Sequence, residues 1–202
     1  MNLQTEVPAL PVLVPLVLIL ITAGVFRLHR TGRLTAMRTF TVVAATIYLA
    51  AVLRLTTLPL QISLGKYANT VSWYEKLNWI PLFIDPRTFV LNIIMTVPLG
   101  IMLPLLTPIR GVRQVAMAGL AFSAAIEVVQ LCTNLLLSSG DLADVNDLLA
   151  NTLGTVIGFL LLRRLTRIGA MADLAARFRT FDEPAAWEDG LSSRPGHWQP
   201  SR

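Results

Sequence analysis

The chain has 202 residues, 54% of them hydrophobic and 14% charged, with a mean hydropathy of +0.62. That balance excludes a soluble domain of this length and identifies an integral membrane protein. The net charge of +5 does not indicate a nucleic-acid partner, because Lys and Arg are dispersed among apolar spans rather than gathered on a recognition face. The single cysteine, Cys132, sits in an apolar run, so no disulfide framework or Cys-rich metal site is available and a packing role is expected.

Windows of about 20 apolar residues, the length that crosses a bilayer, occur at 9–26, 39–58, 88–107, 112–136 and 145–162. The first has no basic residue ahead of it and no small-residue cleavage pattern behind it, so it is expected to persist in the mature protein. Arg27, Arg30, Arg33 and Arg38 follow the first span, Arg110 and Arg113 the third, and Arg163, Arg164 and Arg167 the last. The positive-inside rule assigns these segments to the cytoplasm, leaving the N-terminus and the 60–87 and 137–144 connections outside. The expected fold is therefore all-α, a polytopic transmembrane helix bundle of five spans with its N-terminus outside and its C-terminus cytoplasmic. Trp73, Tyr74, Trp79 and Phe83 in the 60–87 loop prefer the headgroup level, so this loop is expected to lie on or dip into the outer leaflet. Beyond the last span, Ile168, Met171, Leu174, Ala175, Phe178 and Phe181 recur at helical spacing with Arg167, Arg177 and Arg179 among them. This pattern predicts an amphipathic cytoplasmic helix lying on anionic lipid. From Asp182 the chain is rich in Pro, Ser, Gly and acid and is expected to be disordered. Four units result: 1–38, the first span and basic loop; 39–165, the main transmembrane domain; 166–181, the amphipathic helix; and 182–202, the tail.

At a rise of about 1.5 Å per residue, distance from the span ends places Arg54, Asn92, Glu127, Gln130, Asp144, Asp147 and Asn151 at one level, in the outer half of the bilayer. Ser123, Glu127, Gln130 and Asn134 share one face of the fourth span, and Asp144, Asp147, Asn151, Gly154 and Gly158 share one face of the fifth. Hydrocarbon solvates neither carboxylates nor amides, so these groups need partners or water. Arg54 is the expected partner of Glu127. Structural roles compete with functional ones: Asp144 and Asp147 suit the positive start of a helix, and Gln130 and Asn151 suit interhelical hydrogen bonding. Gly154 and Gly158 suit a close-packing seam, and Pro98-Leu99-Gly100 a kinked or thinned third helix that lets a neighbour approach.

Together, Thr57-Leu58-Pro59, Asn78 with Pro81, Asn92 followed by Pro98-Leu99-Gly100, Glu127 with Gln130, and the Asp144, Asp147, Asn151, Gly154, Gly158 series resemble the VanZ-like family of small bacterial membrane proteins. The likeness runs from about the second span to the fifth. Asp141 stands where family members commonly carry arginine, which makes this end of the site more acidic. The resemblance implies a multi-pass protein of the bacterial cell membrane, related to an accessory factor of teicoplanin resistance and able to alter glycopeptide sensitivity.

The expected site is an outer-leaflet polar pocket built from Arg54, Asn78, Asn92, Glu127, Gln130, Asp144, Asp147 and Asn151, walled by the third to fifth spans and roofed by the Trp79 loop. Its expected occupant is a lipid headgroup or a lipophilic cell-envelope molecule. The spans and outer loops lack a His, Ser-His or Cys-His set, so no catalytic residue and no cofactor are expected. One alternative is a membrane-embedded enzyme acting on envelope lipids through a divalent cation held by Glu127, Asp144 and Asp147. Another is a small transporter, although the inner halves of the spans offer no continuous polar route. The expected partners are membrane lipids and a second copy of the chain, docked through the Gly154 and Gly158 face.

Overall fold

Within hydrocarbon a segment must pair its own N–H and C=O groups, so each apolar window is forced into a helix. The computed structural model, which describes residues 3–68, 74, 77–78, 80, 85–139 and 143–181, has five helices long and apolar enough to cross: α1 (Ala9–Arg30), α2 (Ala36–Thr56), α3 (Pro86–Leu106), α4 (Val112–Leu137) and α5 (Val145–Leu165). The shortest have 21 residues, roughly 30 Å of helix, the thickness of a bilayer core. Each end has a local cause. α1 stops where Gly32 takes φ +67, so that Gly32 N–H donates to His29 O at 3.1 Å and Arg33 N–H to Leu28 O at 2.8 Å. α3 starts at Asp85, whose carboxylate accepts from the Arg87 and Thr88 amides, with Pro86 opening the first turn.

The core is the contact of α3 with α5, joined by α4. At Gly100, Gly154 and Gly158 a Cβ would collide with the facing backbone, so the small residues are what allow α3 and α5 to meet backbone to backbone. Pro98-Leu99-Gly100 thus thins α3 where α5 passes, as its composition predicts. Thr96 and Thr155 are fully buried beside these glycines, and each hydroxyl donates to its own helix, at Asn92 O (2.8 Å) and Asn151 O (2.7 Å). α1 packs chiefly on α2, and α2 lies more lightly against α3. Leu18, Phe40, Leu55, Ile94 and Leu136 point outward, as lipid-facing side chains do. Cys132 is also exposed rather than packed.

Two small strand pairs add to the all-helical expectation. β1 (Leu3–Val7) runs antiparallel to β2 (Leu60–Leu64), and β3 (Leu77–Asn78) runs parallel to β4 (Ala143–Asp144). These pairings gather the start of the chain and the α2–α3 and α4–α5 connections at one end of the bundle. Trp73, Trp79, Pro81, Phe83 and Asp141, and the 182–202 tail, lie outside the described residues.

At the opposite, basic end, the expected amphipathic segment forms α6 (Gly169–Phe178). Its exit is tied under the bundle. Thr41 Oγ1 donates to Phe178 O at 2.8 Å, Thr180 N–H donates to Leu105 O at 2.9 Å, and the Arg110 guanidinium lies 5.2 Å from the Phe181 ring centre. Ile168, Met171 and Leu174 remain on its outer side.

Candidate functional site

The polar stripes of α4 and α5 meet at the end that carries the strand pairs. Asp144 caps α5: its Oδ1 accepts from Asn146 N–H at 2.7 Å and from Asn146 Nδ2 at 2.8 Å. Its Oδ2 accepts from Asn78 Nδ2 at 2.9 Å, which fixes the α2–α3 loop to the start of α5. Its own amide donates to Glu127 Oε2 at 2.8 Å. One residue thereby joins a loop, α4 and α5. The capping role of Asp144 and the clustering of the polar residues are both present, because a helix start at membrane depth needs acceptors for its free amides.

Deeper along the same face, Asn92 of α3 faces Asp147 and acts on its carboxylate electrostatically. Ser123 Oγ donates to Asp147 O at 3.3 Å and accepts from Asn151 Nδ2 at 2.8 Å. Ser123 and Asn151 are almost fully buried. Gln130 turns the other way, its Nε2 reaching Thr56 O at the end of α2, 3.0 Å away. Asp144 and Asp147 both act electrostatically on Glu127. Among the described residues, Glu127 Oε1, Gln130 Oε1 and Asn151 Oδ1 have no hydrogen-bond partner. Within those residues the belt is therefore rich in acceptors and short of donors.

The structure brings together Asn78, Asn92, Glu127, Asp144, Asp147 and Asn151, and connects Gln130 to α2. It does not bring in Arg54. The expected Arg54–Glu127 pair does not form: Arg54 is exposed, and its Nη1 donates to Leu58 O at 2.8 Å, closing the end of its own helix. The walls also differ from expectation, because α3, α4 and α5 pack against one another. At this level a 480 Å³ cavity between α2 and α3 opens to the lipid-facing side, with Thr56, Thr88 and Asn92 at its polar end and Leu55, Leu91, Ile94 and Met95 along it. Ser123 and Asn146 were missing from the expected set. The spacing of Ser123 to Glu127 on one helix face signals the first, and the Asp-x-Asn pattern of a capped helix start signals the second. Among the described residues no three His, Cys, Asp or Glu side chains converge as metal ligands would.

A family model described as VanZ/LLP1 matches residues 45–167. The chain belongs to the VanZ/LLP1 family. Neither a curated protein nor a solved structure matches it. The matched segment of this VanZ/LLP1 protein runs from within α2 to just past α5, so it includes every residue of the polar belt and the α2–α3 cavity. α1 and α6 lie outside it.

Proposed function

We propose that the VanZ/LLP1 protein uses the α2–α3 cavity and the polar belt behind Asn92 to bind a lipid headgroup or a lipophilic cell-envelope molecule from the outer leaflet. The observation that carries this reading is the position of Asn92, which lines the 480 Å³ cavity and also faces Asp147 of the carboxylate belt. A cavity of this size lies within the range of small-molecule sites, which are mostly apolar with a few placed polar groups. The surplus of acceptors favours a headgroup that offers O–H or N–H donors, with its hydrocarbon running along Leu91 and Ile94. The outer assignment rests on the basic residues that cluster at the other end. The family resemblance extends the reading to cell-envelope function and teicoplanin sensitivity. No separate observation favours the enzyme or the transporter.

The test is glycopeptide susceptibility of a sensitive bacterium expressing the wild-type chain, Asn92→Ala or Asp147→Asn, with membrane levels measured in parallel. The expected result is a shift in teicoplanin sensitivity with the wild type that both variants lose at equal expression. Variants that act like the wild type, or a wild type with no effect, overturn the reading.

A further inference from the structure

A second cavity, of 420 Å³, lies at the basic end, outside the polar belt. It exists because the α1–α2 hairpin leans on the bundle without the glycine seam that closes α3 onto α5. Its wall is apolar, drawn from α1, α2, α3 and α4, with Leu28, Leu49, Met102 and Phe122 among the lining side chains. The polar groups deeper in the wall already have partners: Thr46 Oγ1 donates to Val42 O at 2.9 Å, and Tyr48 Oη donates to Met95 O at 3.0 Å. The body of the cavity thus suits hydrocarbon and nothing polar.

Its mouth is different. Arg27 at the end of α1 and Arg33 just past the Gly32 turn both line it, with Thr31 between them and the 180–181 strap on the other side. The αL turn at Gly32 brings Arg33 back beside the last turn of α1. Among the described residues, Asp173 on the exposed face of α6 is the one acid carried by this end of the molecule. An apolar channel under two guanidiniums is complementary to an amphiphile with a single anionic head. Guanidinium groups match phosphate oxygens in geometry as well as charge.

We propose that this cavity receives an acyl chain of an anionic phospholipid from the leaflet on the basic side, with the phosphate held against Arg27 and Arg33. The two cavities adjoin at Tyr48, but their polar ends lie at opposite ends of the bundle, Arg27 and Arg33 here against Thr88 and Asn92 there, so variants at one polar end test one proposal without touching the other. A juxtamembrane arginine favours anionic lipid by roughly fivefold. The Arg27→Gln/Arg33→Gln variant is therefore expected to lose most of the preference.

The experiment reconstitutes the full chain in bilayers of equimolar phosphatidylglycerol and phosphatidylcholine and exchanges it into detergent. The retained lipids are then counted by mass spectrometry, with circular dichroism confirming the fold of each variant. Wild type is expected to retain phosphatidylglycerol over phosphatidylcholine, and Arg27→Gln/Arg33→Gln to retain both alike. Ala45→Phe, which fills the cavity from α2 without touching charge, is expected to lower retained phosphatidylglycerol. Arg113→Gln, an exposed arginine at the same end that lines no described cavity, is expected to leave the preference intact. Equal loss with Arg113→Gln, or full retention with Ala45→Phe, overturns the proposal.

Discussion

At the α3–α5 seam Gly100, Gly154 and Gly158 let backbone lie on backbone, whereas the α1–α2 hairpin meets the bundle through larger side chains and leaves a 420 Å³ cavity beside it. Both regions are apolar, so apolarity does not separate them. Lipid tails are as apolar as leucine, and helices in a bilayer associate only where they pack better with each other than with lipid. Small residues meet that condition on α3 and α5. Without such a row the hairpin leaves clefts that chain-like molecules can enter. The polar belt sits on the same helix as the seam: Asp147 and Asn151 precede Gly154 on α5, and Ser123 of α4 hydrogen-bonds both.

The strongest challenge to this contrast is a pair of glycine substitutions. Gly158→Leu pushes a side chain into the Val97 carbonyl and the Gly100 backbone, neither of which can rotate away. It is expected to cost about 3 kcal/mol, the upper end of overpacking penalties. Gly24→Ala meets the Val42 side chain rather than backbone; Val42 is stiff in its helix but its helix can shift, so about 1 kcal/mol, the lower end of the overpacking range, is expected. Thermal unfolding in detergent reads both, and equal losses of Tm would erase the distinction between seam and hairpin.

A smaller effect sharpens the account of the belt. Glu127→Ala leaves the Asp144 amide without its acceptor and is expected to cost about 1–3 kcal/mol. Glu127→Gln keeps an acceptor oxygen in place and is expected to retain most of that stability. Denaturation of the two variants side by side separates the hydrogen bond from the charge. If Gln fares as badly as Ala, the carboxylate acts through its charge and not through Asp144.

The smallest effect belongs to an exposed counterpart of the Asp144 cap. Asp85 hydrogen-bonds the Thr88 hydroxyl and the Arg87 and Thr88 amides, which hold its carboxyl below the usual range. A lowered folded-state value means that the cap supports α3 above the ordinary carboxyl range and that this support fades as pH falls through the lower value. Asp85→Asn is expected to remove this acid-side dependence from an unfolding profile and to change little at neutral pH. An unchanged acid limb would show that the cap contributes nothing there, because the site is fully in solvent.

Much of the fold is legible in composition. The apolar windows 112–136 and 145–162 correspond to Val112–Leu137 and Val145–Leu165, since hydropathy and the terminal caps both mark those ends. Asp144 is legible as a cap for the same reason. The Arg54–Glu127 pair was misread because similar depth does not make two side chains neighbours: Arg54 is on the exposed side of α2 and reaches its own helix end at Leu58. The Gly154 and Gly158 face is legible as a close-packing seam, and α3 of the same chain is the helix that packs there. A row of small residues states that something packs closely there and says nothing about which helix does.

The sequence by itself determined the helical segments, the end of the bundle that is basic, and the height of each polar residue along its helix. These depend on how a segment partitions between lipid and water, which is a local property. The tertiary structure alone decided that Glu127 accepts the Asp144 amide, that Asn92 faces Asp147, and that two open spaces lie beside α2, one at each end of the bundle. Those outcomes depend on the rotation and separation of helices about one another. Backbone contact at a few glycines sets both, and no residue reveals its partner before that contact is made.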